Sequence, residues 1–207
     1  DPFANISELN KTIKTGSQLF APERKNSLGI DLTDGTQLSQ VLTTRSLHKD
    51  TFWTAGQSST KKTQDNDNKK LIYNPSKVND PVGQVQNTTP RQCRQAIETA
   101  KPWVSTAADR TTTLNRAANL YEVHFGEIFT LLCRESGKTL ADALAELREG
   151  IDFLRYYASR TPKGSPLGIF TCISPWNFPL AIFTGQIAAA LSAGNAVLAK
   201  SAEQTPL

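Results

Sequence analysis

Gly168-Ile169-Phe170-Thr171-Cys172-Ile173-Ser174-Pro175-Trp176-Asn177-Phe178-Pro179 leads into an apolar stretch from Leu180 to Ala193, then into Gly194-Asn195-Ala196-Val197-Leu198-Ala199-Lys200-Ser201-Ala202-Glu203-Gln204. Leu167 to Ile173 is a short, nearly continuous apolar run, the pattern of a strand buried on both faces. In the stretch after it, Phe183, Ile187 and Leu191 recur four apart, giving a helix with one face of large side chains. Gly194-Asn195 stops that helix, because both residues tolerate the left-handed conformation of a helix C-terminus. Ala196 to Lys200 reads as a second strand. Strand, helix, strand means a parallel pair with a right-handed crossover. Ligands of such sheets bind beyond the carboxyl ends of the strands. Two polar turns stand there: Ser174 to Pro179 and Lys200 to Thr205.

The text before this unit is helical. Leu140, Leu144, Leu147, Ile151, Leu154 and Ala158 mark a long amphipathic helix that starts after Gly137. Gly150 inside it costs about 1 kcal/mol relative to alanine and fits a close helix contact. Leu114, Ala117, Tyr121, Phe125, Ile128 and Leu132 predict a second long helix, with Cys133 beside its stripe. Thr89-Pro90-Arg91-Gln92 is a capping box with proline at the first helical position. Cys93, Ile97 and Ala100 share the expected inner face of the helix it opens. Leu71 to Pro75 and Val82 to Val85 predict two strands around a turn.

Residues 1–57 read as an arm or linker. Ile6, Leu9 and Ile13 give a weak amphipathic turn, Asp34-Gly35 a turn, and Leu38, Val41 and Leu42 a short helix. Residues 58–70 are almost wholly polar and predict a flexible loop. Residues 71–207 form the third segment, of α/β class. The triplets beginning at Asn5, Asn10 and Asn87 are chance glycosylation-like matches. Three cysteines, an odd number in apolar or helical contexts, point to a reducing cytosol rather than a disulfide framework. The net charge of +4 comes from scattered lysines, so nucleic-acid binding is not expected. No run is long enough to span a membrane. Methionine is absent, even at residue 1, as in a piece of a longer chain.

On spacing alone, Asn177 is equally a turn or cap asparagine and an amide donor aimed at developing negative charge. Lys200 and Glu203 alone read as a surface ion pair. The blocks Ile173 to Pro179 and Lys200 to Pro206, in this order and at this spacing, resemble the first nucleotide-binding unit of the aldehyde dehydrogenase superfamily. Ser136 to Ala143 and Ile151 to Ala158 resemble its Δ1-pyrroline-5-carboxylate (glutamate γ-semialdehyde) dehydrogenase branch. Leu19 to Arg24 and Asn26 to Leu32 are similar to the segment leading into that domain in bifunctional proline utilization A enzymes.

The resemblance implies the N-terminal part of an aldehyde dehydrogenase fold: long helices plus the first strands of a Rossmann-like parallel sheet. It implies an NAD-dependent oxidation of L-glutamate γ-semialdehyde to L-glutamate in proline catabolism, in the cytoplasm. Asn177 then takes the catalytic role of oxyanion donor, worth about 3 kcal/mol. Ile173, Ser174, Trp176, Lys200 and Glu203 take cofactor roles, with Lys200 and Glu203 on the adenosine half of NAD. Glu146 or Glu149 is either a surface carboxylate or the group that faces the substrate's amino group, and Glu146 is the candidate. There is no Gly-x-Gly-x-x-Gly after either strand, in agreement with this superfamily. No metal is implied. FAD belongs to a preceding proline-oxidising domain of the parent, not to these residues. The family's catalytic cysteine and general-base glutamate find no match in residues 1–207, and Cys172 is no substitute. The stretch alone is therefore expected to be inactive, to expose an apolar sheet face and to self-associate. The remainder of the parent polypeptide and a homo-oligomer are its expected partners. The rival expectation is a non-catalytic scaffold segment that contacts acidic partners.

Overall fold

The computed structural model describes residues 12–56 and 69–207. Ile6, Leu9, the triplets that start at Asn5 and Asn10, and most of the polar stretch 58–70 lie outside the described residues.

Asp34 is not a free turn residue but the cap of helix α1 (Gly35–Ser46). Its carboxylate accepts from the N–H groups of Thr36 and Gln37. Of the three apolar residues read in this helix, Val41 is buried and Leu42 is exposed. Strand β1 (Trp53–Ala55), which sequence patterning did not show, pairs parallel with β3 (Lys77–Gln86). Strand β2 (Lys69–Asn74) pairs antiparallel with β3 as the predicted hairpin, so the sheet order is β1-β3-β2.

Helix α2 (Pro90–Thr99) starts with the predicted capping box of Thr89 and Gln92. The inner face expected for it is corrected: none of its residues is buried, and Cys93 and Ile97 are exposed. A cap satisfies only local backbone groups; burial needs a second element, and no described one covers this face.

The single helix expected across 114–132 is two. α3 (Ala107–Val123) ends at His124, whose φ of −92° and ψ of 19° interrupt the helix before α4 (Phe125–Glu135). The packing explains the break. α3 lies mainly on α5 (Leu140–Ser159), whereas α4 also meets α1, where Gly126 sits directly against Thr44. One straight axis cannot serve both partners.

Gly137, at φ 68°, turns the chain out of α4, and Thr139 caps α5 by accepting from the Asp142 N–H. Leu147, Ile151, Leu154 and Ala158 are buried along α5, as their spacing requires. They meet Leu114, Ala118, Phe129 and Val41 in one core. Polar links bind the early segment to it. Arg24 and Ser27 bond the Asp152 carboxylate, both at 2.7 Å. Arg155 pairs with Glu122 through two hydrogen bonds of 2.9 and 2.8 Å and also donates to Asn26 O.

β4 (Ile169–Ile173) and β5 (Ala196–Lys200) form the predicted parallel pair around α6 (Ala181–Ser192). Two details differ from expectation. β4 is not buried on both faces: only Cys172 is, while Ile169, Thr171 and Ile173 on the alternate face are exposed. The sheet is two strands wide, and no described element covers that face. The buried face of α6 is the small one, including Ala181, Gly185 and Ala188, with Phe183, Ile187 and Leu191 half-buried. Small residues let α6 lie close to α5, where the Phe153 ring fills the space over Gly185. Gly194, at φ 79°, ends α6, and Asn195 then accepts from the N–H groups of Leu167 and Gly168 at 2.7 and 3.0 Å. Ser201-x-x-Gln204 has the sequence form of a capping box, but it opens no helix here, and residues 203–205 form a bend.

Candidate active site

The carboxyl ends of β4 and β5 lie side by side. Ile173 is in register with Lys200, and the Ser174 N–H donates to Lys200 O at 3.0 Å. The loops that leave these ends are therefore neighbours, and Thr205 Oγ1 donates to Trp176 O at 3.4 Å to tie them. Ser174 is buried, with its hydroxyl on Pro175 O. Asn177 is exposed on the turn between Pro175 and Pro179. Ile173 and Trp176 beside it are 58% and 57% exposed, which leaves an apolar surface at the same end of the sheet.

Lys200 Nζ lies 2.7 Å from Glu203 Oε1 and also donates to Ser201 O. The hydrogen bond from Lys200 holds the Glu203 carboxyl below the usual carboxylate range. Lys70 reaches the same loop and donates to Glu203 O at 3.2 Å. An ammonium donor and an ionised acceptor are thus exposed together, the pair of groups that suits two adjacent hydroxyls.

Glu146 is not a surface carboxylate. It is 1% exposed, and its Oε1 accepts from the N–H groups of Leu180 and Ala181 at 2.7 and 3.2 Å. Leu180, the cap residue of α6, makes no side-chain cap bond, so α5 supplies the carboxylate that the helix start wants. Glu146 Oε2 faces the Lys138 ammonium at 3.0 Å, an ion pair without an aligned hydrogen bond. Lys138 also sits over the Phe178 ring, 4.6 Å from its centre. Glu149 is exposed. Sequence reasoning missed Lys138: a lysine after a glycine carries no signal until the fold lays it against the Asn177 turn.

No cysteine stands in either loop. Cys172 is buried and Cys133 half-buried, and burial pushes both thiols up; for Cys133 the nearby Arg45 offsets part of the effect. Cys93 is on α2.

A parallel strand–helix–strand unit, with an asparagine turn after one strand and a lysine ending the next, can be compared with known proteins. A profile named "Aldehyde dehydrogenase family" matches residues 62–207. The chain belongs to the aldehyde dehydrogenase family. It is 45% identical over 203 residues to the bifunctional protein PutA of Escherichia coli (strain K12), an alignment covering 91% of this chain and 15% of that protein. It is 35% identical over 164 residues to 1-pyrroline-5-carboxylate dehydrogenase of Anoxybacillus flavithermus (strain DSM 21510 / WK1), covering 68% of this chain and 32% of that one. A crystal structure of a bifunctional proline utilization A protein superposes with a TM-score of 0.72 at 36% identity, over 95% of this chain and 19% of the other. The 1-pyrroline-5-carboxylate dehydrogenase from Thermus with bound NAD superposes with a TM-score of 0.74 at 25% identity, over 87% and 40%. This aldehyde dehydrogenase chain thus spans well under half the length of the relatives it matches.

Proposed function

We propose that these residues serve, as part of a longer polypeptide, in the NAD-dependent oxidation of L-glutamate γ-semialdehyde to L-glutamate in proline catabolism. The observation that carries the reading is the adjacency of the Asn177 turn and the Lys200 loop at one end of two parallel strands. The names of the PutA and 1-pyrroline-5-carboxylate dehydrogenase relatives support the substrate. Asn177 is the amide donor to the oxyanion that forms when a nucleophile adds to the aldehyde. Lys200 and Glu203 exchange their mutual bond for the adenosine ribose of NAD, the apolar surfaces of Ile173 and Trp176 line its path, and Ser174 contributes through backbone contact. Bound NAD supplies the hydride acceptor.

The nucleophilic thiol and the general base come from outside residues 1–207. FAD, likewise, belongs to a proline-oxidising part of a PutA-type parent. The polypeptide of residues 1–207 alone is inactive, finds its nearest partner in the rest of the parent, and works in a cytoplasmic homo-oligomer. The experiment is direct. Purified residues 1–207 produce no NADH from the semialdehyde, whereas the full-length polypeptide does. In the latter, Asn177→Ala lowers kcat roughly 100- to 1,000-fold. Steady NADH production by residues 1–207, or full activity in the Asn177→Ala protein, overturns the reading.

A further inference from the structure

We propose that Lys138 and Glu146 are positioning residues for Asn177, a role that rests on the reading of Asn177 given above. The turn that carries Asn177 is held on both sides. Before it, Ser174 N–H bonds Lys200 O and Trp176 O accepts from Thr205, which fixes the strand side. After it, the structure uses two residues from outside the unit. Glu146, from the middle of α5, bonds the N–H of Leu180, three residues past Asn177, and that of Ala181. Lys138, from the link between α4 and α5, covers the ring of Phe178, the residue next to Asn177, and pairs with Glu146.

A helix start is ordinarily capped by a short polar side chain of its own segment. Here the cap is a carboxylate from another helix, almost wholly buried, which is expensive unless paired and hydrogen-bonded. The Lys138 side chain, 13% exposed, supplies the pairing charge. Both contacts fall on the carboxyl side of Asn177, at Phe178, Leu180 and Ala181, while Asn177 itself is exposed. An oxyanion donor acts only if it is already in place when charge develops. Lys138 and Glu146 never need to touch substrate to matter. They set where the amide points.

The test is a double-mutant cycle in the full-length polypeptide that carries these residues. Lys138→Met and Glu146→Gln each lower kcat roughly 10- to 100-fold, because a small displacement of a catalytic group is costly. The Kd for NAD, measured by calorimetry, stays within about twofold, and Lys138→Arg retains most of the rate. Added to Asn177→Ala, Lys138→Met lowers kcat by less than about twofold, since the group it positions is already gone. If Lys138→Met costs the same factor with and without Asn177, the pair does not act through that amide and the proposal is wrong. If Asn177→Ala alone leaves kcat unchanged, the reading of the active site fails first and this one with it. Glu146→Gln alters a buried helix cap and can unfold the chain, so circular dichroism accompanies each variant, and Lys138→Met decides.

Discussion

Glu146 and Arg110 hold opposite ends of one helix. The Glu146 carboxylate takes the first N–H groups at the start of α6, and Arg110 Nε donates to Ser192 O, the last residue of that helix, at 2.9 Å. The negative group is at the amino end and the positive group at the carboxyl end, the arrangement a helix dipole favours. The two come from α5 and α3, and both are buried. The crossover between the two parallel strands is therefore clamped by charge as well as packed by small side chains.

The Arg110 end is the simpler one to test. Its guanidinium also donates to Ser105 O at 2.6 Å and Pro162 O at 2.9 Å. Arg110→Met strands three carbonyls and lowers stability by about 3 kcal/mol or more. Urea unfolding reads this as a reduced midpoint. An unchanged midpoint means that water replaces the guanidinium at no cost.

Three helical glycines separate backbone freedom from space. A methyl group on Gly150 meets its nearest atoms at 3.7 to 3.8 Å, ordinary contact, so Gly150→Ala raises stability by up to about 1 kcal/mol. On Gly185 the same group stands 3.0 to 3.2 Å from the Phe153 ring, and on Gly126 it collides with Thr44. Gly185→Ala gains less than Gly150→Ala or loses stability, and Gly126→Ala loses about 1 to 3 kcal/mol. Thermal unfolding of the three variants gives the order; Gly126→Ala matching Gly150→Ala would contradict the packing described.

The cysteines differ in access. Cys93 is exposed, Cys133 half-buried and Cys172 buried. A thiol-reactive dye under native conditions modifies Cys93 first, and modifies the other two at rates limited by opening of the structure. Cys93→Ser removes the fast phase. A fast phase that survives this change places Cys133 or Cys172 in contact with solvent.

Burial pushes the Glu135 carboxyl up to about 7, against the opposing pull of the Leu207 N–H that it accepts at 2.7 Å. Because the folded value lies above the unfolded one, this group's contribution is fully present below about pH 4.5 and is lost as pH rises toward 7. The loss amounts to about 3 kcal/mol. Denaturant unfolding at several pH values shows the decline, and Glu135→Gln flattens it. Equal pH dependence in both proteins rules the effect out.

Much of this was legible in the chain. The spacing of Leu147, Ile151, Leu154 and Ala158 fixed the face of α5, Thr89 with Gln92 marked a helix start, and Gly194-Asn195 marked a helix end. Those features are local, and local chemistry decides them. What was illegible depends on partners distant in sequence. The exposure of Cys93 and Ile97 turns on what does not pack over α2. The break at His124 turns on α1, whose Thr44 is 82 residues before Gly126 in the chain and against it in space. At the site, the Asn177 turn and the pair Lys200 and Glu203 were visible as motifs. Glu146 was visible as a residue but not as a cap, and Lys138 not at all, because both act through Leu180 and Phe178, which only folding brings to them.

The kinship match begins at residue 62, but the packing does not. Val41 plugs the middle of the helical core, and β1 lies along one side of β3. A polypeptide trimmed at residue 62 would lose both, along with the Arg24 and Ser27 tether to Asp152. It would start life with a hole among its helices and a raw strand edge open to recruitment by other chains. Whoever expresses this unit should set the scissors before Arg24.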